Sequence, residues 1–149
     1  MPNRTLVLVA DGGFAALELL SSLSSHSVIC VVRMRLDARL FNPAPPKKKG
    51  AKGRPRLVGT RLPWRKSCKR ISLQQVLANP NTVWQRLTFA RWYRETNGAR
   101  VESAFREVEV TSDIAVWYHG GLPPVPIRWV IVRDPKGKFE TRAILLAQD

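Results

Sequence analysis

The chain has 149 residues, 44% of them hydrophobic, the size of one ordinary domain or of a smaller core carrying an insertion. Its 25 Lys and Arg against 11 Asp and Glu give a formal net charge of +14, the footprint of a polyanion binder, with nucleic acid first and an acidic membrane surface second. No run reaches the apolar length of a bilayer-crossing helix, Cys30 and Cys68 form no disulfide framework, and His26 and His119 lack partners at zinc spacing, so composition excludes a membrane span and a zinc motif and points to a reduced, cytoplasmic protein.

The first predicted element is a strand over Leu6–Ala10, a continuous apolar run that suits burial on both faces. It ends on Asp11, and Gly12 and Gly13 make a tight turn. Ala15 to Leu23 then sets Ala16, Leu17, Leu20 and Leu23 at helical spacing, one face of a helix packing back on the strand. In open α/β sheets ligands bind at the carboxyl ends of strands, which makes Asp11 the leading candidate site residue. The competing reading is that Asp11 only caps the helix. A second apolar strand, Val28–Val32, completes a βαβ unit with parallel strands. Beyond it, Arg33 and Arg35 alternate with Met34 and Leu36. They are either a solvated strand end or phosphate contacts close to Asp11.

Asn42 to Pro63 breaks the pattern. Proline and glycine forbid regular structure there, and Lys47, Lys48, Lys49, Lys52, Arg54 and Arg56 repel one another, which predicts an extended or disordered basic arm. Without interleaved aromatics, such an arm suits sequence-blind contact with a nucleic-acid backbone. A solvated loop and a localisation signal are the alternatives.

Ser72 is placed to cap a short helix through about Leu77, ended by Asn79-Pro80-Asn81. Strands are expected over Trp84–Tyr93, Val101–Val110 and Ile114–Tyr118, the last two separated by Thr111-Ser112-Asp113. Ile127–Val132 and Phe139–Leu146 should form a hairpin through the turn Asp134-Pro135-Lys136-Gly137. Trp84, Trp92, Trp117 and Trp129 fall in these strands, where core packing accounts for them.

Taken together, VADGGFAALELL, VICVVRMRLDARLFNPAPP, the basic KKKGAKGRPR run, VWYHGG and PIRWVIVRDPKG resemble the middle of the catalytic domain of bacterial DDE-type insertion-sequence transposases. That resemblance implies an α/β fold: a partial ribonuclease H-like βαβ core over 1–41, a Pro/Gly-rich basic arm over 42–70, and a β-rich insertion over 71–149. It further implies DNA as partner, metal-dependent phosphodiester cleavage and strand transfer, and a homo-oligomer in the full-length enzyme.

Three acids hold two divalent ions, Mg2+ or Mn2+, in that family, and Asp11 matches the second of them. Hard ions about 4 Å apart can both activate the attacking oxygen and stabilise the leaving one. Asp11 is therefore the expected catalytic and metal-binding residue, and Arg33, Arg35 and the basic arm the expected nucleic-acid contacts. The first acid and the third, a glutamate on a later helix, have no match. Glu18 lies too near Asp11, Asp134 is in a turn and Asp149 is terminal. The expectation is thus an internal fragment, inert alone. A stand-alone basic nucleic-acid-binding protein is the alternative. A third reading, an α/β enzyme using Asp11 as a nucleophile or magnesium ligand, wants a second acid or a Lys after another parallel strand, which the sequence does not supply.

Overall fold

A computed structural model describes residues 5–23, 26, 28–50, 52–59, 61–62, 73–91 and 104–147. In chain order these form β1 (Leu6–Ala10), a 3-10 turn (Gly12–Phe14), α1 (Leu17–Leu23), β2 (Val28–Met34), β3 (Leu40–Phe41) and β4 (Arg61–Leu62). They continue with α2 (Leu73–Ala78), β5 (Gln85–Arg91), β6 (Ala104–Trp117), β7 (Val125–Arg133) and β8 (Arg142–Ala147). The strands make one sheet in the order β1-β2-β8-β7-β6-β3-β4, with β5 also pairing β6.

β1 and β2 are parallel, in the register Leu6 to Val28 through Ala10 to Val32, as the βαβ reading requires. β2 then pairs antiparallel with β8, so the first and last thirds of the chain share one sheet. The β7–β8 hairpin forms as expected. Gly137 N–H donates to Asp134 O at 3.0 Å, and the Asp134 carboxylate accepts from Lys136 N and Lys138 N.

Side chains alternate across the pleat, so every second residue of a strand faces the same layer. On one face Cys30, Val32, Trp129, Ile131 and Leu145 form the core with Leu17 and Leu20 of α1 and Leu73 of α2. Burial without a charged partner pushes the Cys30 thiol pKa up. The opposite face carries Val31, Ile144, Leu146 and Val130 half-buried and Ile114 53% exposed, with no helix over them among the described residues.

Three expectations are corrected. The first strand is not buried on both faces: among the described strands β1 lies at the edge, with Leu6, Val7 and Val9 more than half exposed, because continuous apolarity reports what a strand could bury, not where it sits. Thr111-Ser112-Asp113 is no turn. These residues run through the middle of the 14-residue β6, where β7 satisfies their backbone. β5 pairs Ala104–Val110 and β7 pairs Glu109–Trp117, so β6 joins two neighbourhoods that overlap at Glu109 and Val110.

The helix after Asp11 starts at Leu17 rather than Ala15, a 3-10 turn taking up the glycines. Trp129 is buried, and Trp84 and Trp117 pack against the core as predicted. The expected cap at Ser72, and also Trp92 and Cys68, lie outside the described residues. Among the described residues no helix is long and apolar enough to cross a membrane.

Candidate functional site

Asp11 leaves β1 in extended conformation (φ −80°, ψ −176°), and its Oδ1 accepts Gly13 N–H at 3.0 Å. The capping reading is therefore real: the carboxylate satisfies a backbone donor at the start of the 3-10 turn. A Cβ at Gly13 would lie 3.3 Å from Asp11 Oδ1, a tight contact that a small shift of the carboxylate relieves.

Capping does not remove Asp11 from solvent. Together with the end of β2 and the starts of α2 and β8 it lines an open cavity of about 740 Å³. Arg33 and Arg35 join it there, as predicted, and β8 adds Arg142, a residue that sequence reading missed. The missing signal was tertiary. Arg142 lies 107 positions after Arg35, and only the β2–β8 pairing, Met34 beside Ala143, brings it to the same end of the sheet.

Three guanidinium groups, of Arg33, Arg35 and Arg142, share the cavity lining with three carboxylates, of Asp11, Asp37 and Glu140. Arg35 meets Asp37 in a bidentate pair, Nε to Oδ1 and Nη2 to Oδ2, both 2.7 Å. Those hydrogen bonds, and then the charge of Asp37, hold the Arg35 pKa further up. Arg33 lies 3.9 Å from Glu140, past hydrogen-bond reach, with the two side chains 54% and 85% exposed. No ion pair to Arg142 occurs among the described residues.

The described donor set does not fit a two-ion centre. No group of three or more His, Cys, Asp or Glu capable of holding a metal occurs among the described residues. Asp37 is committed to Arg35, which leaves Asp11 and the exposed Glu140 as the cavity's remaining carboxylates.

The basic arm springs from the other edge of the sheet. β3 and β4 pair at its root, and β3 joins β6 at Val116 and Trp117. At the neck Gly59 N–H donates to Asn42 O at 2.8 Å, and a Cβ on Gly59 would meet Pro43 O at 2.5 Å. Gly50 and Gly53 hold positive φ, and Lys47 Nζ donates to Gly53 O at 2.8 Å across the bend. The arm is thus a pinned excursion, with Lys48, Lys49, Lys52, Arg54 and Arg56 exposed. The arm root is nevertheless tied closely to the cavity, because β3 starts at Leu40, five positions after Arg35, which limits the span to about 18 Å. Ala38 N–H donates to Arg35 O at 3.2 Å, and that turn shortens the link further. The structure therefore brings Asp11, Arg33 and Arg35 together, with the arm following them directly along the chain.

A family model described as DDE superfamily endonuclease matches residues 2–99. That stretch holds Asp11, Arg33, Arg35 and the whole arm, but not Arg142. No curated protein matches the chain.

Proposed function

Because this chain belongs to the DDE superfamily endonuclease family, we propose that it is part of a transposase-type domain that grips the DNA backbone and contributes Asp11 to the site of phosphodiester cleavage and strand transfer. The observation that carries the proposal is Asp11 at the carboxyl end of a parallel strand, in a cavity whose rim holds Arg33 and Arg142. A ribonuclease H-like arrangement is the fold reading that goes with it, supported by the parallel β1–β2 pair and the intervening helix.

Nucleases of this superfamily typically use divalent metal ions. Of the cavity's described carboxylates only Asp11 and the loosely held Glu140 lie outside a bidentate pair, so Mg2+ or Mn2+ binding there would need acids from elsewhere. By themselves these residues bind DNA and do not cut it. Asp11 orients the turn through Gly13 N–H, Arg33 supplies a charge to the backbone, and Lys47, Lys48, Lys49, Lys52, Arg54 and Arg56 track the same backbone further along. The arm follows Arg33 and Arg35 directly in the chain, so one stretch of backbone can meet both. A duplex of about 20 base pairs offers the exposed arm more phosphates to track than one of about six.

Binding of labelled duplexes of these two lengths across a salt series tests the reading. The expected result is a steeper salt dependence for the long duplex, reduced when Lys47, Lys48 and Lys49 are changed to Ala, and unchanged by Asp11→Asn. Equal salt slopes for both lengths would mean that the arm does not track the backbone.

The second reading, a nucleic-acid-binding protein without catalysis, is favoured by the lack of a three-acid cluster among the described residues. Nicking of supercoiled DNA in Mg2+ or Mn2+, lost in Asp11→Asn, would exclude it.

A further inference from the structure

The cavity rim is not simply basic. In a chain of net charge +14, its ionised lining balances at three against three, and the three arginines are held very differently. We infer that Arg142 and Arg33 form a phosphodiester-binding pair, while Asp37 occupies Arg35 as an internal phosphate mimic and so sets the affinity of the site. The inference rests on the DNA-binding reading above and deepens it.

Arg33 pairs with Ile144 across β2 and β8, so Arg142, two residues before Ile144, is its diagonal neighbour on the same face of the sheet. Diagonal neighbours lie about 7–8 Å apart at the backbone, close enough for two long side chains to converge on one anion. Both arginines are exposed, on the face opposite α1 and α2, where a rigid rod can approach. Arg33 has only the loose 3.9 Å contact with Glu140, and such exposed pairs are worth little, so a phosphate replaces Glu140 readily.

Arg35 differs in kind. Its fork is filled by both oxygens of Asp37, the geometry with which guanidinium also recognises phosphate. Asp37 lies two residues on in the same turn, so it competes at a fixed, high local concentration. An incoming backbone phosphate must displace it to gain the third arginine.

Counterion release gives the size of each effect. One phosphate contact adds about 0.9 to the slope of log K against log salt, which is about eightfold in affinity at 0.1 M salt. The experiment is anisotropy of a labelled 20-base-pair duplex between 0.05 and 0.3 M NaCl, with far-UV circular dichroism checking each variant.

Arg142→Gln should lower the slope by about 1 and Arg142→Lys should restore it. Asp37→Asn should tighten binding and raise the slope by about 1, and that gain should vanish in the double variant Asp37→Asn/Arg35→Ala. If the gain survives without Arg35, it is only the loss of a negative charge and the inference fails. An Arg142→Gln variant with wild-type slope and native dichroism also overturns it. Displacement of the duplex by millimolar inorganic phosphate at constant ionic strength would overturn the assignment to a polymer backbone. Salt-insensitive or absent binding by the wild type would instead sink the DNA-binding reading itself, before either variant is informative.

Discussion

β1 and β7 are both rich in Leu, Val and Ile, and they meet opposite fates. β7 lies between β6 and β8 and buries Val125, Ile127, Trp129 and Ile131 on the helical side, with Pro126 and Arg128 exposed between them. β1 pairs only with β2 among the described residues, and Val9 is 73% exposed. The difference teaches that an apolar strand is stabilised by its neighbours rather than by its composition. A central strand has two ladders and a covered face, and an edge strand has one ladder and whatever happens to lie over it.

The largest expected effect breaks the central region. Leu145→Ala on β8, or Ile131→Ala on β7, removes a side chain that is 0% exposed and opposite the core of α1. Each should cost about 2–5 kcal/mol in urea unfolding, since lost transfer energy and a residual cavity add. The same truncation at Val9 should stay within about 0.5 kcal/mol. Equal losses at the two positions would mean that β1 is covered in solution.

Next comes the arm root. Gly59→Ala places a Cβ against two backbone oxygens, Pro43 O at 2.5 Å and Asn42 O at 2.9 Å, neither of which can swing away. We expect a loss of about 1–3 kcal/mol and weaker DNA binding through the displaced arm. Gly120→Ala, with nothing within 4 Å, is the control.

A smaller, pH-dependent effect sits where the β5–β6 ribbon meets the sheet. Arg86, Glu109 and Arg133 lie directly opposite one another on β5, β6 and β7. Arg133 Nε donates to Glu109 Oε2 at 2.8 Å, Arg86 Nε to Oε1 at 3.4 Å, and the Arg133 guanidinium lies 3.7 Å above the Trp84 ring. The hydrogen bond from Arg133 is the main reason the Glu109 carboxyl stays below its usual pKa. A depressed folded-state pKa contributes stability above the unfolded value, about 4.3, and that stability is lost as pH falls through the folded value. The wild-type Tm should therefore drop relative to Glu109→Gln as pH falls from about 5 toward 3. A constant difference between the two across that window would show that the ladder carries no linked stability.

What was legible in the sequence follows the same division. Local signals were read correctly: the βαβ order, Asp11 at its turn, the Asp134–Gly137 hairpin and the burial of Trp129 each depend on a few neighbouring residues. The tertiary facts were not. Nothing in LVLVA says that its second edge finds no strand among the described residues, and the polar Thr111-Ser112-Asp113 resembles a turn because its strand partners lie near Val130, 18 positions from Ser112. Arg142 was invisible as a site residue for that reason. The arm's charge was plain, but its pinned neck rests on a backbone contact between Asn42 and Gly59 that spacing alone cannot reveal.

The smallest effect on stability is also the sharpest test of the comparison. Leu6 to Ala10 is uncharged, lacks proline, and has an edge that no described strand pairs, the combination that promotes strand-to-strand association. Natural edges are guarded by Lys for this reason, because adding a second strand would bury its charge. Val9→Lys places such a guard on the face opposite the helices, where Val9 touches little that could be lost. Unfolding free energy should change by no more than about 0.5 kcal/mol, while light scattering through a concentration series should show less self-association than in the wild type. The two readouts separate the possibilities. A stable but equally associated variant would place the sticky surface elsewhere, on the open face around Ile114 and Val31. A destabilised variant would show that β1 is buried after all, and that its contrast with β7 is one of partner and not of position.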